Sequence, residues 1–211
     1  MLFRSGSIAG GQTVSRTGRY KGVALIGSTL VAIGMIVFAR MGIDTPRLYV
    51  AGGMVIAGLG MGLLQPVYTL AVQNVAPRRQ MGAATSSTIF FRSIGSTVGV
   101  AAFGSIMLTR YHTAFEQSMP ARVPPAALPY FANPLLLVQV RPQMEAAFAR
   151  FPGGSALLQT LFDNVRASLA SGLHLIFVSS AVIMSLGVLL HLALRSEPLR
   201  TRTVESEMAG H

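Results

Sequence analysis

Arg92 is the side chain whose position most demands a chemical role. It stands eleven residues into an apolar block that begins at Met81, about 16 Å along at helical rise. An ionisable group at that depth in apolar surroundings is by default a functional group, facing a wet cavity or paired with a partner. A competing reading has the long side chain snorkel to the headgroups, helped by the polar stretch from Thr85 to Thr88. Gln65, beside Pro66 in the preceding block, poses the same problem. Its amide must bond another helix or line a cavity, and the proline frees a backbone carbonyl one turn earlier. Thr69, Gln73 and Asn74 follow toward the end of that block. They suit an inner gate, and Gln73 and Asn74 suit a solvated helix end equally well.

What is missing also bears on the chemistry. All seven acids, Asp44, Glu116, Glu145, Asp163, Glu197, Glu205 and Glu207, fall outside the apolar blocks. Proton coupling across a membrane needs an intramembrane carboxylate or histidine relay, so this stretch is expected to lack the coupling site. His174 and His191 are seventeen residues apart, about 25 Å on a helix, too far to share a metal or a proton, and read as interface or packing residues. There is no glycine-rich phosphate loop, no paired carboxylates, no metal-ligand spacing and no nucleophile-base arrangement. With no cysteine, disulfides and thiol chemistry are excluded. The expectation is no enzyme, no cofactor and no metal.

The elements that must position these groups are membrane spans. Of the 211 residues 51% are hydrophobic and 11% charged, against roughly 25% charged in a soluble domain. The apolar residues fall in four blocks, 22–39, 48–72, 81–108 and 173–194, each as long as the roughly 17 to 25 residues that cross a bilayer as a helix. The net charge of +10 could suggest nucleic acid. However, the arginines cluster at the ends of apolar blocks, where they act as topology signals, and no nucleic-acid partner is expected. Placing the N-terminus inside puts Arg4, Arg16, Arg19, Lys21, Arg78, Arg79, Arg195, Arg200 and Arg202 on the inner side, against Arg40 and Arg47 in the short outer loop. The C-terminus is then cytoplasmic.

The outer loop, 109–171, holds Pro120, Pro124, Pro125, Pro129 and Pro134 in its first half, which forbid one continuous helix. Short helices are expected after Pro142 and Pro152. In the second, Leu157, Leu158, Leu161, Phe162, Val165 and Leu169 recur at three- and four-residue spacing, an apolar stripe. It would lie at the outer membrane interface or pack against the helix ends. Gly58 and Gly62, like Gly95 and Gly99, are four apart, so the second and third spans are expected to pack closely. Residues 1–197 form the transmembrane part and 198–211 a disordered tail.

Four stretches carry a family resemblance. The turn with Gly11, Arg16, Gly18 and Arg19 resembles the G-x-L-x-D-R-x-G-R-[RK] signature of the major facilitator superfamily, with Thr13 and Ser15 in place of the Leu and Asp. Gly58-Leu-Gly-Met-Gly-Leu-Leu-Gln-Pro66, the run from Leu70 to Arg79, and Gly82-Ala-Ala-Thr-Ser-Ser-Thr88 onward to Gly99 resemble the 14-helix drug:proton antiporters. The resemblance implies an all-α membrane fold in which the four spans are helices 11 to 14, part of the C-terminal bundle of a multidrug efflux transporter in the inner membrane. It further implies that Gln65, Thr69, Ser86 and Arg92 border the substrate cavity. Lipid, the remaining N-terminal helices, a small amphiphilic substrate and protons are the implied partners. A stand-alone four-helix scaffold or partner subunit is the alternative.

Overall fold

The computed structural model describes residues 20–120, 123, 128–132, 134–150 and 152–193. The signature residues Gly11, Arg16, Gly18 and Arg19 and the tail 198–211 lie outside the described residues. Those described are helical: α1 (Tyr20–Ala39), α2 (Arg47–Val75), a short 3₁₀ turn (Arg78–Gln80), α3 (Met81–Gln117), α4 (Leu128–Ala132), α5 (Pro134–Phe148) and α6 (Gly154–Ala193). Four of them, α1, α2, α3 and α6, are long and apolar enough to cross a membrane. This is the expected all-α, multi-span membrane architecture.

Helix α1 ends at a tight turn where Gly42 N–H donates to Thr45 Oγ1 at 2.7 Å. Pro46 caps α2 from the extended side, the conformation its ring favours. Tyr49 then reaches back and donates its hydroxyl to the Val37 carbonyl at 3.1 Å. The Val37 carbonyl, in the last turn of α1, also accepts from Arg40 N–H at 3.2 Å, so the tyrosine adds a second bond that ties α2 to the end of α1.

The tightest helix pairing joins α1 to α2, with α6 covering another face of α1 and in turn holding α3. At the crossing of α1 and α2 a Cβ on Gly60 would stand 2.7 Å from the Gly27 carbonyl oxygen and 2.7 Å from a Val31 methyl, and one on Gly34 would stand 2.8 Å from the Ala57 Cβ. Only a bare backbone fits there, which is how spans gain dispersion contact in lipid. The expected close packing of α2 on α3 is not what the helices do. A Cβ on Gly58, Gly95 or Gly99 meets nothing within 4 Å, and α2 touches α3 only sparingly. Gly62 is buried. Four-residue spacing puts the glycines on one face, but helical spacing alone does not say which neighbour meets it.

Two helices run further than their apolar blocks. Helix α3 has 37 residues and α6 has 40, about 55 and 60 Å at 1.5 Å per residue, against a hydrocarbon core of about 30 Å. Nothing breaks α3 before Pro120, so it continues past residue 108 to Gln117. The helix expected after Pro152 is the first part of α6 itself. The helix expected after Pro142 starts earlier, at Pro134, and carries Pro142 inside it. Proline is well placed at a first helical position, and the interior one is tolerated where the helix buries Leu137, Met144 and Phe148.

These projecting ends and the short helices enclose a second core. Tyr111 and Phe115 of α3, Phe131 of α4, Leu137, Met144 and Phe148 of α5, and Leu158, Leu161 and Val165 of α6 form one buried cluster. The stripe at Leu157 to Leu169 therefore packs against helix ends rather than lying on the membrane. Tyr111 donates its hydroxyl to the Phe131 carbonyl at 2.6 Å, and Asn164 Nδ2 donates to the Ser118 carbonyl at the end of α3 at 2.7 Å. Phe115 stacks between Tyr111 and Phe131 at centroid distances of 5.7 and 5.6 Å.

Two outcomes are expected. Gly60→Val lowers the melting midpoint of the detergent-solubilised chain, an overpacking of about 1–3 kcal/mol, whereas Gly58→Val stays within about 0.5 kcal/mol; equal effects would contradict the α1–α2 crossing. Leu161→Ala, at a fully buried position, destabilises this aromatic cluster by about 2–5 kcal/mol. Hydrogen exchange should then rise in α4 and α5 while protection between α1 and α2 is kept.

Candidate functional site

The turn at 76–80 folds α3 back beside α2, so residues equally far from it come level. Gln65 lies ten residues before the end of α2 and Arg92 eleven after the start of α3, each about 15 Å from the turn. They meet: Arg92 Nη1 donates to Gln65 Oε1 at 2.6 Å. Nearer the turn, Gln73 Nε2 donates to Thr85 Oγ1 at 3.5 Å, and Thr85 donates to the Met81 carbonyl at 3.0 Å. Two polar rungs in one antiparallel register thus cross a seam that has little other contact.

The first rung sits about halfway through a 30 Å core if the turn marks the interface. A charge-assisted bond in such a medium is stronger than in water, because the competing solvent is absent. Gln65 gives the guanidinium an acceptor without neutralising it. Thr69 donates its hydroxyl to the Gln65 carbonyl at 3.3 Å, tightening the turn that follows Pro66. Three of the four cavity candidates, Gln65, Thr69 and Arg92, are therefore brought together. Ser86 is exposed like Gln65 and Arg92 but stands apart in direction, since six residues before Arg92 is about 120° round the helix from it.

The wall around this pair is apolar and open. None of the apolar window of α3 is buried, and Phe91 and Val100 are 70% and 75% exposed. An exposed apolar face of that length needs lipid or further helices against it.

Sequence reasoning missed a second polar junction at the same end of the bundle. Tyr68 OH and His191 Nε2 are 3.2 Å apart, and His191 Nδ1 is 2.7 Å from the Gly187 carbonyl. The carbonyl only accepts, so Nδ1 carries the proton, and in the neutral ring Nε2 accepts from Tyr68. Lys21 Nζ donates to the Leu192 carbonyl at 3.1 Å, satisfying the C-terminal end of α6 with a cation, as the helix dipole favours. The contact joins residues far apart in sequence, and the spacing of each helix alone gives no sign of it. His174 is at the opposite end, in a groove of about 500 Å³ with Arg40 and Val178.

Comparison with known proteins follows this geometry. No family model and no solved structure matches the chain. The chain is 29% identical over 215 residues to the multidrug transporter protein MdtP of Bacillus subtilis, a match covering 95% of this chain and 38% of that protein. An uncharacterised MFS-type transporter of Mycobacterium tuberculosis is 29% identical over 189 residues, covering 90% of this chain and 25% of its own length. A tetracycline resistance determinant of Streptomyces rimosus is 32% identical over 109 residues, covering 50% of this chain and 31% of that protein. The chain thus spans 38% or less of the length of these curated relatives.

The rung predicts energetic coupling. In a double-mutant cycle, Gln65→Leu and Arg92→Met each lower thermal stability and together do so by less than the sum, with a coupling of about 0.5–3 kcal/mol. Strict additivity would show that the two side chains do not hold each other.

Proposed function

We propose that this chain, a member of the major facilitator superfamily, supplies four helices of a proton-coupled multidrug efflux transporter that works by alternating access. It is a transporter component and not an enzyme. The observation that carries the reading is the Arg92–Gln65 bond, a polar pair at mid-span in a helix pair related throughout to multidrug transporters. Midplane polar groups at a seam between spans are where secondary transporters bind their cargo.

In this reading α1, α2, α3 and α6 are helices 11 to 14 of a 14-helix antiporter. Helices α2 and α3 border the cavity through Gln65, Thr69, Ser86 and Arg92, while α1 and α6 face lipid. The open glycine faces at Gly58, Gly95 and Gly99 receive helices from the rest of the transporter. Gly11, Arg16, Gly18 and Arg19 form the inner-side signature turn, and the N- and C-termini are cytoplasmic, in the inner membrane. Small amphiphilic compounds are the substrates. The proton-coupling carboxylate is contributed by other helices, since none of the seven acids lies in an apolar block.

The test is efflux by the complete transporter in cells. Arg92→Ala is expected to lower drug efflux at least about tenfold, the loss of one charged hydrogen bond, at unchanged expression. Arg92→Lys should recover only part of it, because an ammonium cannot reproduce the guanidinium geometry. Unchanged drug resistance in Arg92→Ala would remove Arg92 from the transport pathway.

A further inference from the structure

A cavity of the described residues lies away from the Arg92–Gln65 rung. It opens at the end of the bundle where α1 begins and α2 and α6 finish, has a volume of about 770 Å³, and touches all four long helices. That volume falls within the roughly 300–1,000 Å³ of small-molecule sites. Its inner walls are aliphatic, with Val67, Ala71 and Val72 on α2 facing Ala83 and Ala84 on α3. At its mouth Lys21, Gln80 and His191 stand beside Val75, Ala76 and Pro77, and Tyr68 and Ser87 add polar groups to the lining.

Charge and depth define the occupant. Lys21 is the second residue of α1 and His191 lies in the last turn of α6, so the mouth is at the level of the lipid headgroups. Lys21 brings a positive charge to it, exposed Arg79 stands beside the lining residue Gln80, and no lining residue is acidic. Cationic pockets between spans attract anionic headgroups, and the aliphatic walls below run in the direction an acyl chain takes. A cationic mouth disfavours a cationic drug.

We propose that this cavity is a binding site for one anionic phospholipid, its phosphate at Lys21 and Gln80 and an acyl chain between α2 and α3. The lipid fills the seam alongside the Gln73–Thr85 rung and holds α3 against the α1–α2 pair. The site is separate from the midplane pair and stands whether or not that pair contacts substrate.

Native mass spectrometry of the delipidated chain in detergent, titrated with phosphatidylglycerol or phosphatidylcholine of identical acyl chains, tests this. One phosphatidylglycerol should be retained per chain, with about fivefold preference over phosphatidylcholine, the contribution of one basic group at the surface. Lys21→Gln should abolish the headgroup preference. Ala84→Trp, which fills the cavity, should remove the retained lipid. Equal retention of both lipids by the unaltered chain overturns the proposal, as does a Lys21→Gln chain that keeps its preference or an Ala84→Trp chain that keeps its lipid. One-to-one retention of tetraphenylphosphonium in place of phosphatidylglycerol would make the cavity a cation site and overturn it equally. Should Ala84→Trp fail to fold, the headgroup preference of Lys21→Gln decides alone.

Discussion

The backbone contact between α1 and α2 is the constraint on which the bundle rests. Lipid tails are as apolar as leucine, so burying apolar side chains gives spans no net drive to associate. What remains is close approach, and Gly60 against Gly27 and Val31 supplies it. Helix α6 joins this pair through α1, and α3 joins through α6. The seam between α2 and α3 is consequently sparse in contact, and the polar rungs cross it there. Where dispersion contact is scarce, hydrogen bonds between side chains that cannot reach water decide the alignment.

The aromatic cluster beyond the apolar blocks obeys a different solvent. There the usual drive to remove apolar surface from water operates, and the described side chains bury accordingly: Tyr111, Phe131 and Leu161 are fully enclosed, whereas the apolar residues of α3 within its span are not. One continuous helix can therefore carry two surfaces with opposite logic, apolar outward along residues 89–100 and apolar inward at Tyr111 and Phe115.

This change of solvent explains what could be read in advance. Block length revealed the four spans because hydrocarbon demands apolar residues along the whole crossing. It did not reveal where α3 and α6 end, since helical hydrogen bonding continues after the apolar requirement stops. Arg92 and Gln65 were legible individually from their depth, and their equal distance from the turn at 76–80 made their meeting derivable. The spacing of Leu157 to Leu169 was legible as an apolar face, but a stripe does not identify what covers it. Gly58, Gly95 and Gly99 taught the same lesson from the other side. The Tyr68–His191 contact depends on how α2 and α6 are brought together around α1, a three-helix property that neither sequence segment contains.

The unbroken course of α6 has a mechanical consequence. A rod of 40 residues, about 60 Å long, has its C-terminal end tied by Lys21 and Tyr68 and its N-terminal part embedded in the aromatic cluster. Pivoted near one end, it converts a tilt of about 3° into a displacement of about 3 Å at the other, from its length alone. The helix is a lever, and the cluster around Phe115 and Leu161 is the weight it must carry.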